Sequence, residues 1–216
     1  MPRTVDLSHP LETGMPHART IQPPRFTSTN TWEEHRMRVM RLDLPTHIGT
    51  HLDAPAHFVE AGATVDQLPL SSLIGRAYCL EVLRDGAEPI TAADLKAAEG
   101  LERGDALLIR TGWDDRYRDP AYVDAHPYLS ADAAEWAADT GLRLIGMDTI
   151  SPELPMSMRW EGFPYDVHNA LLGAGTLLVE NLVLREVTGR WCTLFVGVLN
   201  VLGGDGAPAR VLALVD

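Results

Sequence analysis

Eight short apolar runs divide the chain: TVDLS (4–8), HRMRVMRLDL (35–44), AYCLEV (77–82), DALLIR (105–110), RLIGMD (143–148), TLLVE (176–180), CTLFVGV (192–198) and RVLALV (210–215). Runs of this length, bounded by turn residues, read as β-strands. All fall well short of the ~20 apolar residues that cross a bilayer as a helix. Three helical signals lie between them. TAADLKAAEG (91–100) offers Thr91 as N-cap, an acid three residues on and Gly100 as terminator, a capping-box pattern. SADAAEWAADTG (130–141) repeats it with Ser130 and Gly141, and PYDVHNALLGAG (164–175) reads as a third helix. HARTIQPPRFTSTN (17–30) is expected as one extended loop, long enough to be a lid or binding segment. The expectation is an α/β fold: a single compact domain over residues 1–216, with a mixed sheet flanked by helices.

Composition narrows the function. A formal charge of −12 argues against a nucleic-acid partner. With no signal-peptide pattern, the chain reads as soluble and cytoplasmic, without a membrane partner. Cys79 and Cys192 lie in apolar strand contexts and are expected reduced and buried. No G-x-S-x-G elbow and no Gly-rich phosphate loop is present.

The chemistry concentrates in THIGTHLDAPAHF (46–58), which holds three of the chain's eight histidines and an aspartate. Gly49 and Pro55 oppose a helix through it. A fully extended strand would separate the Cα atoms of His47 and His51 by about 13 Å, too far for shared coordination with bonds near 2 Å. The backbone is therefore expected to fold back at Gly49 and form a bent loop rather than a regular element. His47, His51 and Asp53 would then offer two imidazoles and a carboxylate, a donor set suited to Zn²⁺, Mn²⁺ or Fe²⁺ with a position left open for water. The residue types alone leave both a metal site and a chance cluster of surface histidines open.

HIGTHLDAPAHF resembles the H-x-G-T-H-x-D-x-P-x-H signature of the cyclase family of metal-dependent hydrolases, which includes bacterial kynurenine formamidases and isatin hydrolases. VDLSHPLETGMP, LIRTGWD, LIGMDTISPE and DGAPARVLAL extend the resemblance over nearly the whole chain. It implies the swivelling β/β/α fold, assembly as a homodimer or homotetramer, and hydrolysis of a C–N amide bond in a small-molecule formamide or cyclic amide. It implies that His47, His51 and Asp53 hold a first metal ion, with Asp53 able to bridge to a second. His57 is implied as the proton shuttle, His168 as a second-metal ligand, and Glu180 as the carboxylate bridging both ions. The implied cofactor is a divalent metal: a pair of zinc ions, with manganese as the alternative. The chain departs from the family pattern in GMPHARTIQPPRF (14–26), where no tryptophan precedes Trp32.

Three further residues are substrate-side candidates. His17 and Arg19 fall in that departing segment, Arg19 either pairing with a substrate carboxylate or standing solvated. Asp148 ends the RLIGMD strand, where it could line the pocket, support a ligand or serve the fold. His9 is expected as a structural hydrogen-bonder, and His126 has no evident partner. Two other functions stay open: a lactone or ester hydrolase of the same family, and a catalytically silent metal-binding module.

Overall fold

All eight apolar runs form strands, and four more strands appear that apolar patterning does not mark. The computed structural model describes residues 2–216. Its strands are β1 (Arg3–Asp6), β2 (Arg25–Asn30), β3 (Val39–Asp43), β4 (His51–Asp53), β5 (Ile74–Glu81), β6 (Pro89–Ile90), β7 (Ala106–Arg110), β8 (Tyr128–Leu129), β9 (Leu144–Met147), β10 (Leu177–Glu180), β11 (Trp191–Val198) and β12 (Gly206–Val215). The helices are α1 (Trp32–His35), α2 (Ala92–Leu95), α3 (Ala131–Thr140) and α4 (Asp166–Gly173). Thr91 and Asp94 close the expected capping box, yet α2 stops after one turn instead of running to Gly100. Gly141 ends α3 at φ 72°. Ser130 does not cap α3 with its side chain; its Oγ donates to Ile90 O at 2.9 Å.

The segment 17–30 is not one loop, because its second half is β2, paired antiparallel with β3 as a separate hairpin. RFTSTN escapes detection because it is polar on both faces and shows no apolar alternation.

Eight strands form one mixed sheet in the order β1-β12-β11-β5-β7-β9-β10-β4. It closes on itself because β4 pairs with both β10 and β12. Pro208 of β12 faces His51 on one edge and receives the Leu199 N–H on the other. The same edge that takes β4 takes β1 further along. β5, β7, β9 and β10 run parallel, and the remaining pairs of this sheet are antiparallel.

Side-chain alternation assigns each strand residue to one of two cores. Ala106 and Leu108 of β7 enter the barrel with Leu52, Val179 and Val211, whereas Leu107 and Ile109 face the helices with Ala133, Leu171 and Leu178. Burial on both faces explains why these strands read as unbroken apolar runs. Each fully buried Leu or Ile contributes roughly 1.5–3 kcal/mol. Cys79 and Cys192 are free and buried.

Candidate metal centre

The same alternation builds the site. Leu52 points into the barrel, so His51 and Asp53 project from the opposite, helix-facing side of β4. On β10, Leu178 faces the helices, so Glu180 does too, and the register sets Glu180 directly opposite His51. His168 comes down onto this face from α4, where it is buried. On β12, Gly206 stands opposite Asp53. A Cβ there would lie 2.6 Å from His47 Cε1, so the glycine leaves the space that the His47 ring occupies.

The backbone does turn at Gly49, with φ 60°. A Cβ at Gly49 would also meet Leu11 and Met15 side-chain atoms at 2.7 Å. After this turn the chain is not an irregular loop: His51–Asp53 is a short strand held on both edges, and Pro55–His57 a 3-10 turn. The expectation of a wholly bent loop is corrected, because pairing to β10 and β12 satisfies the backbone there. Asn181, at φ 55°, buttresses the turn. It donates to Gly49 O at 3.0 Å, and its own carbonyl accepts from Thr50 at 2.6 Å.

Asp53 sits at the middle of the cluster. Its Oδ1 lies 2.7 Å from His47 Nδ1 and 3.3 Å from His51 Nε2. Its Oδ2 lies 3.7 Å from His168 Nε2 and is buried without a hydrogen-bond partner. Glu180 spans the same two imidazoles, with Oε2 3.4 Å from His51 Nε2 and Oε1 3.7 Å from His168 Nε2. The far nitrogens are already used. His51 Nδ1 donates to Gly49 O at 2.8 Å, and His168 Nδ1 contacts Glu153 Oε1 at 2.9 Å. These contacts fix both rings with Nε2 toward the cluster, the usual way a metal-binding histidine is oriented. His57 stacks on His47 at 3.8 Å, with Nδ1 3.5 Å from Asp205 Oδ2. Asp205 also contacts His47 Nε2 at 3.0 Å.

Donor atoms of His47, His51 and Asp53 lie within 4.8 Å of one another, as do those of Asp53, His57 and His168. An orphaned buried carboxylate oxygen and two imidazole nitrogens turned inward make a donor set that fits divalent cations.

The electrostatics follow from crowding. Burial alone would lower His47, but its bonds to Asp53 and Asp205 prevail and raise it to about 9. Burial likewise opposes His168, and Glu153, Glu180 and Asp53 raise it to about 9. Burial and the Asp53 charge push Glu180 up, whereas His47 and His51 overcome burial to hold Asp53 well below the usual range. His57 is lowered to about 4, mainly by burial, with His47 and His168 adding to the effect against Asp53 and Asp205.

A pocket of about 320 Å³ opens over the cluster, with Phe58, Ile150, Met156 and Tyr165 among its apolar walls. Its size suits a small molecule. His17, a substrate-side candidate, lines it. Arg19 does not: its guanidinium is exposed and paired with Asp124. Asp148 is also absent from the lining. It is fully buried and accepts from the backbone N–H groups of Thr111, Gly112 and Trp113 at 2.9–3.0 Å, so it holds the turn after β7. His9 is no side-chain hydrogen-bonder; its ring stacks on Tyr117 at 3.5 Å and its buried Nε2 has no partner. Sequence reasoning did not bring Glu153, Asp205 or the pocket-lining Arg159 to the site, and His126, left without a partner, also lines the pocket. Glu153 and Asp205 stand in quoted motifs, but nothing in the sequence marks an acid as the support of a histidine 15 or 158 positions away.

A closed mixed barrel with a histidine–carboxylate cluster beneath a pocket defines the class: an α/β protein whose His and Asp groups are able to bind metal. A family model named Cyclase, described as "Putative cyclase", matches residues 5–154. The chain belongs to the cyclase family. It is 32% identical over 217 residues to the kynurenine formamidase of Erythrobacter litoralis, covering 97% of this chain and 93% of that one. It is 30% identical to the Salinibacter ruber kynurenine formamidase, covering 87% and 84% of the two chains. Among solved structures, isatin hydrolase A from Ralstonia solanacearum superposes with TM-score 0.89 at 25% identity, over 100% of this chain and 92% of that one. A protein described as a potential metal-dependent hydrolase with cyclase activity gives 0.82 at 29% identity, covering 100% and 99%.

Proposed function

We propose that this chain is a metal-dependent hydrolase of C–N bonds in non-peptide amides, either formamides or cyclic amides. The observation that carries the reading is Asp53, whose two oxygens face two separate imidazole sets. His47, His51 and Asp53 would hold one divalent cation. His168 would hold a second, with Asp53 and Glu180 shared between them. Zinc suits the nitrogen and oxygen donors, and manganese is the alternative. The similarity to kynurenine formamidases favours the amide over a lactone or ester.

When bound, the cations supply Lewis acidity, polarising a carbonyl oxygen and rendering water nucleophilic near neutral pH. The chain's own residues do the rest. His57, lowered to about 4, is a neutral acceptor at pH 7. With Nδ1 turned to Asp205, its Nε2 can take the proton of attacking water and return it to the departing nitrogen. Asp205 would steady the imidazolium in between. Phe58 and Tyr165 exclude bulk water from one wall.

A cytoplasmic homodimer or homotetramer belongs to the same reading. Trp32, Met37, Met40 and Leu42, on and around the β2–β3 hairpin, are 52–60% exposed, an apolar surface that a second copy would cover.

The test is metal analysis of purified protein, followed by formamide, cyclic-imide and lactone assays with and without chelator. C–N hydrolysis that vanishes with chelator and returns with zinc or manganese is the expected result. An Asp53→Ala variant that stays active without metal would overturn the reading.

A further inference from the structure

His47 stands between two carboxylates, and only one of them belongs to the buried cluster. Its Nδ1 faces Asp53 Oδ1 at 2.7 Å, and its Nε2 faces Asp205 Oδ2 at 3.0 Å on the solvent side. His57 joins this outer group, with Nδ1 3.5 Å from the same Asp205 oxygen. One donor atom from each of His47, His57 and Asp205 falls within 4.8 Å of the others. Two ligand atoms bound tetrahedrally at zinc stand roughly 3.3 Å apart. The two contacts at Asp205 bracket that separation. Access sets the outer group apart: the side chains of His57 and Asp205 are 27% and 43% exposed, those of His168 and Asp53 5% and 1%.

The backbone fixes where Asp205 sits. Ala54 N–H donates to Asp205 O at 2.9 Å, Val65 N–H to Gly204 O at 2.8 Å, and Gly203 N–H to Asp66 Oδ1 at 2.8 Å. Three consecutive residues are thus tied to the segment that follows β4. The His57 ring is held by its stack on His47 and by the edge of Phe58, at 3.8 and 4.6 Å between ring centres. An imidazole nitrogen and a carboxylate oxygen placed in this way, open to water, suit zinc. His47 adds no third donor while its Nδ1 faces a cation in the buried cluster. Its Nε2 then keeps the ring proton and donates to Asp205. The outer ion therefore has two protein ligands completed by water, and is held less tightly than the inner ones.

We infer that His57 and Asp205 form a separate, inhibitory zinc site beside the catalytic centre. The inference rests on reading His57 as the base of a hydrolase, and it turns on the tautomer of that ring. In the working form Nδ1 carries the proton toward Asp205, and Nε2 offers its lone pair to water. Zinc on Nδ1 needs the lone pair there, so the one proton of the neutral ring moves to Nε2, which can then donate but not accept. Bound zinc and the base function exclude each other, while the inner ions stay in place. Manganese, the weaker partner of imidazole, should leave the base free at concentrations where zinc does not.

Equilibrium dialysis of the purified chain against rising zinc, with bound metal read by mass spectrometry, tests the site without turnover. The wild type should take up one weakly held equivalent beyond the tight ones, and folded Asp205→Asn should keep the tight ones and lack the weak one. Hydrolysis of formanilide should fall by on the order of 100-fold as the weak equivalent fills, the contribution of a general base. It should recover when a weak chelator lowers free zinc, and excess manganese should not reproduce the loss. In Asp205→Asn, measured against its own uninhibited rate, inhibition should need at least about tenfold more zinc. Should circular dichroism show Asp205→Asn unfolded, His57→Gln reads the same missing equivalent in dialysis. A weak equivalent that persists in either folded variant overturns the inference, as does a rate unchanged while it fills. Loss of a tight equivalent in Asp205→Asn overturns it too, by placing Asp205 among the inner ligands. An Asp205-dependent weak equivalent in a protein that hydrolyses neither formamide nor cyclic amide would support the site and sink the hydrolase reading instead.

Discussion

At the residue scale, roles within the cluster separate by which atoms remain free. His57 has no fixed partner closer than Asp205 at 3.5 Å, whereas His51 and His168 have one nitrogen each tied down. His57→Ala should therefore lower kcat by on the order of 10²–10⁴-fold while metal content by mass spectrometry stays near that of the parent. Loss of metal would make His57 a ligand, a role its closeness to Asp53 and His168 permits. Glu153 accepts both the Nδ1–H and the backbone N–H of His168 at 2.9 Å. Glu153→Gln should weaken metal affinity by about 10- to 100-fold, measured by competition with a chromogenic chelator. Protons also compete for the site. With His47 and His168 both raised to about 9, the metal-free rings are charged at pH 7 and must lose protons to become ligands. Apparent metal affinity should rise with pH between 6 and 9, and calorimetry in buffers of different ionisation enthalpy should show proton release.

At the element scale, the cluster depends on two places where a side chain is missing, Gly49 and Gly206. A methyl at Gly206 would strike His47 Cε1 at 2.6 Å and Leu52 O at 2.7 Å. Gly206→Ala should lower both the thermal midpoint and the metal content, since ring and strand must each give way. Strands with buried faces were legible from sequence, and so were the ends of α3 and α4. β4 was not, because three residues carry no periodicity and its two histidine-cluster side chains look like loop chemistry. The cluster itself was legible only as far as residue types could reveal it. His47, His51 and Asp53 stand close in sequence, but Asp205 reaches His47 from 158 positions away, across the closure of a barrel that no local pattern announces. Arg19 stays outside the pocket for a similar reason: loop position suggested the pocket, and Asp124, distant in sequence, pairs with it.

At the scale of the whole molecule, pH acts through two sets of histidines with opposite signs. His9 and His126 are lowered to about 4, mainly by burial, while the unfolded chain binds those protons near 6.5. Between those values the unfolded state holds more protons, so stability should fall as pH drops from about 6.5 to 4. Urea midpoints of chelator-treated protein measure this, and His126→Gln should flatten part of the slope. His47 and His168 act the other way: their contribution is whole below 6.5 and fades as pH rises through 9. Metal removal should matter more than either. A ligand present at 1,000 times its Kd adds about 4 kcal/mol to the folded state, and a chain of this size loses roughly 2–4 °C per kcal/mol. Chelation should thus lower the thermal midpoint by on the order of 10 °C. The three-residue strand β4 joins the two ends of the sheet, and two of its three side chains belong to the cluster. Prising that seam apart and emptying the site are consequently one event, and deuterium uptake at the Leu52 and Ala207 amides should slow as metal is added.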